Sequence, residues 1–259
     1  MSDTLIFYDF RTEKNFDVCI CNDIGKRNEQ QDCIYVSVNN NSVFSVLCDG
    51  MGGMDSGRIA SMESVRLFVD YCGQYKEHDQ LWMQSALEAV NGAVSNFTVD
   101  NKQLLCGSTL VSVFIEESFL QWISVGDSRL YVFRDNELIQ VTTDHTYFNI
   151  LNQKLETNEI SEHEYMEESE KGEQLTSYIG LGGLNLIDIS KEPIQLRVND
   201  LIMICSDGVY KTLDDNSICE IFSNNKAVEQ IGNAIIAEIN KYNYAFQDNY
   251  SFALIQKLA

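Results

Sequence analysis

The sequence predicts an α+β fold: two antiparallel sheets packed face to face with helix pairs outside, a four-layer α-β-β-α sandwich. Short apolar runs joined by very short polar turns predict antiparallel pairing, because parallel strands need a crossover of a dozen residues or more. Stretches with helical spacing come in blocks and do not alternate with single strands, which segregates helices from sheets. Three buried runs also end alike, in an Asp close to Gly, so several strand ends point to one place.

The 259 residues are 44% hydrophobic, enough for a large core. The lone proline, Pro193, and the lack of a Gly/Ser-rich linker make residues 1–259 a single domain. Residues 1–15 read as a lead-in. Phe16–Asn22, Cys33–Val38 and Val43–Cys48 are strand-like, the last two forming a hairpin through Asn39-Asn40-Asn41. Ser56–Tyr71 carries Ile59, Met62, Val65 and Val69 at helical spacing. Asp79–Val94 carries Trp82, Ala86, Ala89 and Ala93, backed by Leu87 and Val90, with Asp79 as its cap. Strands follow at Thr109–Ile115, Phe119–Val125, Leu130–Phe133 and Leu138–Val141. Residues 144–180 form a flap-like segment; between Lys154 and Glu173 it holds eight Glu and two Lys, which predicts short helices with a solvated face. Strands resume at Asn185–Ser190, Ile194–Arg197 and Leu201–Cys205. Val228, Ile231, Ile235 and Ile239 mark a long helix, and Tyr250–Ile255 a last strand.

The net charge of −21 excludes nucleic acid and anionic membrane surfaces as partners, since both need Lys and Arg to meet phosphate. No apolar run approaches the ~20 residues of a membrane span. The N-terminus lacks the basic stretch of a signal peptide, and the eight cysteines sit mostly in apolar runs without zinc spacing. A reducing, cytoplasmic setting follows.

The stretch Val43–Gly57 organises the chemistry. An apolar run stops at Asp49, and Gly50, Gly52, Gly53 and Gly57 follow, so backbone can approach whatever Asp49 holds. Gly126-Asp127-Ser128-Arg129 and Ser206-Asp207-Gly208 end two further runs, and Asp248 precedes the last strand. One such Asp is an ordinary turn. Four suggest converging carboxylates, and hard oxygens without His partners call for Mg²⁺ or Mn²⁺ over zinc. There is no P-loop, no G-x-S-x-G and no H-E-x-x-H; His78, His145 and His163 read as surface or loop residues. Cys21 and Arg27 stand at the C-x₅-R spacing of a thiolate phosphatase loop. Asp23 and Glu29 nearby would raise that thiol's pKa and disfavour the thiolate.

Read together and in order, the motifs resemble the PP2C (PPM) family of metal-dependent protein serine/threonine phosphatases. They are Arg27 to Asp32, Asp49-Gly50-Met51-Gly52-Gly53, Gly107-Ser108-Thr109, Gly126-Asp127-Ser128-Arg129, Asp144-His145, Ser206-Asp207-Gly208 and Asp248-Asn249. The resemblance runs from about Phe16 to Ile255. It implies two Mn²⁺ or Mg²⁺ ions bridged by Asp49, with the Gly50 carbonyl, Asp207 and Asp248 completing one of them. It implies a third, weaker ion on Asp127 and Asp207. Arg27 would hold the phosphate, Asp32 would sit near the metal-bound waters, and a metal-bridging water would attack phosphorus without a phosphoenzyme. The implied partners are phosphorylated proteins and a cognate Ser/Thr kinase, with the enzyme itself a monomer. The chain departs from the family pattern at Gln30, Gln31 and Met51, where Asn, Glu and, in animal relatives, His are usual. The alternative is a pseudophosphatase that binds phosphoproteins or a kinase without turnover; intact Asp49, Asp207 and Asp248 weigh against it.

Overall fold

The computed structural model describes residues 6–52, 56–75, 81–99, 102–103, 106–242 and 244–259; Gly53, His78 and Asp79 lie outside these. The chain runs through β1 (Ile6–Glu13), β2 (Phe16–Asp23), β3 (Asp32–Val38), β4 (Ser42–Met51), α1 (Ser56–Cys72) and α2 (Trp82–Val94). A small ribbon, β5 (Thr98–Val99) and β6 (Lys102–Gln103), leads to β7 (Gly107–Ser108), β8 (Leu110–Glu116), β9 (Phe119–Val125), β10 (Arg129–Arg134) and β11 (Glu137–Gln140). Then come α3 (Tyr147–Glu156), α4 (Glu162–Glu168), β12 (Asp188–Ile189), β13 (Ile194–Gln195) and β14 (Leu201–Cys205). The chain closes with α5 (Asp207–Tyr210), α6 (Asp215–Asn224), α7 (Val228–Tyr242) and β15 (Tyr250–Lys257).

Two antiparallel sheets form. The first has the order β1-β2-β15-β14-β10-β11; the second runs β12-β9-β8-β4-β3, with β13 also on β9 and β7 on β4. Side-chain alternation along each strand assigns the layers. In β2, Phe16, Val18 and Ile20 point into a core shared with Val43 and Leu47 of β4 and Val111, Val113 and Ile115 of β8. The intervening Cys19 and Cys21 point the other way, into a core with Ile218 and Phe222 of α6 and Ile231, Ile235 and Ile239 of α7. On the far side, Val46 and Cys48 of β4 pack on Val65 and Phe68 of α1 and on Trp82, Ala86 and Val90 of α2. Helices, sheet, sheet and helices therefore stack as four layers, as the sequence predicts. No helix among the described residues is long and apolar enough to cross a membrane.

Several expectations need correction. Part of the lead-in is a strand: β1 pairs along its whole length with β2, Ile6 opposite Asp23 through Glu13 opposite Phe16. The face of α1 is also turned. Ala60, Ser61, Ser64, Val65, Phe68 and Cys72 are buried, while Met62 is 48% exposed. Ala60, Ser61 and Ser64 share the buried face with Val65 and Phe68, while Ile59 and Val69 are partly buried at its edges. In α2, Met83, Asn91 and Val94 are buried in place of Ala89 and Ala93. The short helices of the Glu-rich segment are present, and Ser161 caps α4 in a reciprocal box with Glu164.

Candidate active site

Asp49, Asp127, Asp207 and Asp248, scattered along the sequence, line one open cavity of about 670 Å³, together with Arg27, Gly50 and Lys211. The cavity lies where strands of both sheets end. Asp32 is buried and does not line it; it stands opposite Asp49 in the β3–β4 register and accepts a 2.6 Å hydrogen bond from the Ser206 hydroxyl.

Asp49 is held by its backbone, which leaves its carboxylate for the cavity. Its N–H donates to Thr109 Oγ1 at 2.9 Å. Its carbonyl accepts from the Ser108 hydroxyl and the Thr109 N–H, both at 2.9 Å. Thr109 Oγ1 in turn shares a 2.7 Å hydrogen bond with Ser128 beside Asp127, so one small-residue hinge positions two of the acids. The strand does not stop at Asp49: β4 runs on to Met51, pairing Gly50 with Ser108. Residue 50 must be glycine, because a Cβ there would stand 2.0 Å from the Gly57 carbonyl oxygen at the start of α1.

Arg27 sits on the loop between β2 and β3. That loop is clasped to the segment before β15. Asn249 Nδ2 donates to the carbonyls of Ile24 (2.8 Å) and Glu29 (3.0 Å), and its Oδ1 accepts from the Gln31 N–H at 2.8 Å. Lys26 N–H donates to the Gln247 carbonyl at 2.9 Å. Arg27 Nη2 then reaches Asp248 Oδ2 at 2.6 Å, which raises the guanidinium's pKa.

Asp127 lies in the β9–β10 turn, where Gly126 has φ +98° and so favours glycine. The turn is fixed by His145: Gly126 N–H donates to His145 Nδ1 at 3.2 Å, and His145 N–H returns a 2.9 Å bond to the Gly126 carbonyl. Tyr210 donates its hydroxyl to Asp127 Oδ2 at 3.1 Å. Over the Tyr210 ring lies the Arg129 guanidinium, 3.5 Å from its centroid and bonded to Asp144. Lys211 Nζ lies 2.9 Å from Asp207 Oδ2.

The sequence reading singles out the acids, Arg27 and Gly50. It does not find Lys211, Tyr210, the bond from Ser206 to Asp32 or the clasp made by Asn249. Asn249 is visible only as the neighbour of Asp248, since its partners lie more than 200 residues away in the chain. Lys211 carries a weak signal, the spacing of four from Asp207 on a helix.

Burial and mutual repulsion dominate the electrostatics. Burial pushes the Asp49 carboxyl well above its usual range, and the charges of Asp32, Asp207, Asp127 and Asp248 add to the shift. Burial lifts Asp32 to about 7, against hydrogen bonding to Ser206. Burial and the charge of Asp207 lift Asp127 to about 6. Carboxylates that raise one another in this way fit a multivalent cation. The lining holds oxygen donors and no His or Cys, which suits Mg²⁺ or Mn²⁺. Among the described residues no three His, Cys, Asp or Glu side chains already converge as a cage. Two of the carboxylates turn instead to the chain's own cations, Asp248 to Arg27 and Asp207 to Lys211.

The C-x₅-R alternative does not survive the fold. Cys21 is fully buried on the helix side of β2, and it does not line the cavity. Burial, with Asp23 adding, pushes its thiol far above the ordinary range, the opposite of a reactive thiolate.

Fold and cavity together define a class: four-layer α-β-β-α proteins that gather carboxylates where the strands of two sheets end. The chain belongs to the protein phosphatase 2C family, whose sequence profile matches residues 23–245. It is 27% identical over 240 residues to the serine/threonine phosphatase stp of Listeria monocytogenes serotype 4b (strain F2365), covering 90% of this chain and 92% of that one. It is 28% identical over 244 residues to a putative protein phosphatase of Mycoplasma genitalium, covering 88% and 90%. The S. agalactiae serine/threonine phosphatase shares the fold with a TM-score of 0.80 at 23% identity, over 93% of this chain and 99% of that one. So does the catalytic domain of the serine/threonine phosphatase PstP, solved in complex with two manganese ions, with a TM-score of 0.73 at 22% identity over 95% and 99%.

Proposed function

We propose that this chain hydrolyses phosphoserine and phosphothreonine in proteins and depends on Mn²⁺ or Mg²⁺. The observation that carries the reading is the cluster of mutually repelling carboxylates around Asp49, open to a cavity that Arg27 also lines. Family membership and the activities named for the relatives agree with it.

Asp49, Asp207 and Asp248, with the Gly50 carbonyl, would hold the ions. When bound, such ions supply a water acidic enough to attack phosphorus at neutral pH and a counter-charge for the phosphoryl oxygens. Asp32, opposite Asp49 in the β3–β4 register and held by the Ser206 hydroxyl, would brace the end of β4 that carries Asp49. Arg27 binds the phosphate: its Nη2 donates one hydrogen bond to Asp248, and the rest of its planar donor fork stays available to phosphoryl oxygens. No side-chain nucleophile is needed, which agrees with the burial of Cys21. The substrates are phosphorylated proteins, so a Ser/Thr kinase must supply them. Binding a phosphate to a chain of net charge −21 requires local positive charge from Arg27 and the ions.

The test is hydrolysis of a phosphothreonine peptide with Mn²⁺, with EDTA, and by Asp207→Asn. Changing an outer-shell partner of a metal ligand costs about 10–100-fold, and Asp207→Asn, which alters a ligand itself, should cost at least the upper end while circular dichroism stays unchanged. Turnover that survives EDTA, or that Asp207→Asn leaves intact, would overturn the reading.

A further inference from the structure

The family resemblance implies a third, weaker ion on Asp127 and Asp207. The structure puts an ammonium there. Lys211 follows α5 directly, four residues after Asp207, and its Nζ stands 2.9 Å from Asp207 Oδ2 and 3.9 Å from Asp127 Oδ2. A third carboxylate completes the group: Glu173, from the Glu-rich segment, at 2.8 Å. The three acids come from three separate parts of the chain, the β9–β10 turn, α5 and the stretch after α4. The Lys211 side chain is 42% exposed, whereas those of Asp127 and Asp207 are 8% and 19% exposed, so the charge reaches inward from the rim. Asp127 Oδ2 is already engaged by the Tyr210 hydroxyl as well.

We propose that Lys211 serves as this chain's built-in third cation, filling the seat between Asp127 and Asp207 and leaving a two-ion centre. The proposal rests on the metal-dependent reading above. A divalent ion entering between these two acids would have to displace a positive charge that three carboxylates hold, and it would be repelled by that charge until it did. Asp49, the central ligand of the other ions, forms no ion pair among the described residues; those ions would share Asp207 with Lys211 and would meet at Asp248 only the half-exposed Arg27. The same contact ties the Glu-rich segment to the cavity through Glu173, so a flap-like element is anchored by the cation that sets the ion count.

The experiment counts Mn²⁺ bound to the metal-stripped full chain by equilibrium dialysis and calorimetry, for wild type, Lys211→Met and Lys211→Arg. Wild type and Lys211→Arg should each bind two ions. Lys211→Met, which keeps the aliphatic stem and loses the charge, should gain a third site at least 10-fold weaker than the other two. Equal counts in wild type and Lys211→Met would overturn the proposal and leave the two-ion reading standing. So would a third ion on the wild type, a result that depends on no variant folding. A wild type that binds no Mn²⁺ would overturn the metal-dependent reading, and the proposal with it.

Discussion

Arg27 Nη2 and Asp248 Oδ2 meet at 2.6 Å although 221 residues separate them in sequence. Both side chains are about half exposed, 53% and 41%. An exposed ion pair of this kind contributes only ~0–1 kcal/mol, so it orients the guanidinium at little cost to rearrangement. One partner is the proposed phosphate clamp and the other a proposed metal ligand, and the pair holds both in register at the cavity mouth.

The first prediction separates those two roles. Hydrogen bonds to charged groups contribute about 1.5–3 kcal/mol, so Arg27→Ala should raise KM for a phosphopeptide roughly 10–100-fold. Mn²⁺ affinity should hold or rise, because Asp248 is released from its partner. Steady-state kinetics with a Mn²⁺ titration measures both. An unchanged KM would remove Arg27 from phosphate binding.

Much of this arrangement is legible in the sequence because it is local. The apolar run from Phe16 states that β2 is a strand, although only the fold assigns Phe16, Val18 and Ile20 to the sheet–sheet core and Cys19 and Cys21 to the helix side. The strands ending near Asp49, Asp127 and Asp207 state where the acids gather. What is not legible depends on distant contacts. β1 has little internal pattern of its own and is a strand because β2 offers it an open edge. The buried face of α1 is set by packing on β4 and takes in Ser61 and Ser64, while the more apolar Met62 is exposed. α6 does carry a local signal, Asp214 capping Ser217 ahead of Ile218 and Phe222, although it is short beside α7. Lys211 looks like any surface lysine until Glu173 and Asp127 arrive from other segments.

A second prediction concerns the thiol. Cys21 is buried in β2 opposite Phe252 of β15, with its side chain in the α6–α7 core. Cys21→Ala deletes one buried methyl-sized group, a loss of about 1 kcal/mol, which for a chain of this size lowers Tm by about 2–4 °C. Turnover per folded molecule should be unchanged. Loss of all activity in a folded Cys21→Ala protein would bring back the thiolate mechanism.

The last prediction concerns His145, which the sequence leaves without a role. Its ring accepts at Nδ1 from the Gly126 N–H, so the imidazole is neutral with its proton on Nε2. Burial lowers its pKa from the ordinary 6.5, against the opposing charges of Asp188 and Asp144. Protonation would place a donor against a donor and loosen the turn that carries Asp127. The sign follows from linkage: below about pH 7 the unfolded chain takes up a proton at this residue that the folded chain refuses, so stability falls as pH falls. Stability should be flat above that range and should level off again below the folded pKa. Asp32 and Asp127, raised to about 7 and about 6, act in the opposite sense, because their folded forms bind protons that the unfolded forms have lost. The His145 contribution must therefore be taken as a difference. His145→Asn can keep an acceptor near the Gly126 N–H and removes the titration. Urea unfolding in EDTA from pH 5.5 to 8 gives the stability of both proteins. The advantage of wild type over His145→Asn should shrink on acidification, by at most about 1.4 kcal/mol per pH unit for one proton. A difference that stays constant across that range would mean that His145 is not a buried neutral acceptor and that its ring does not hold the turn.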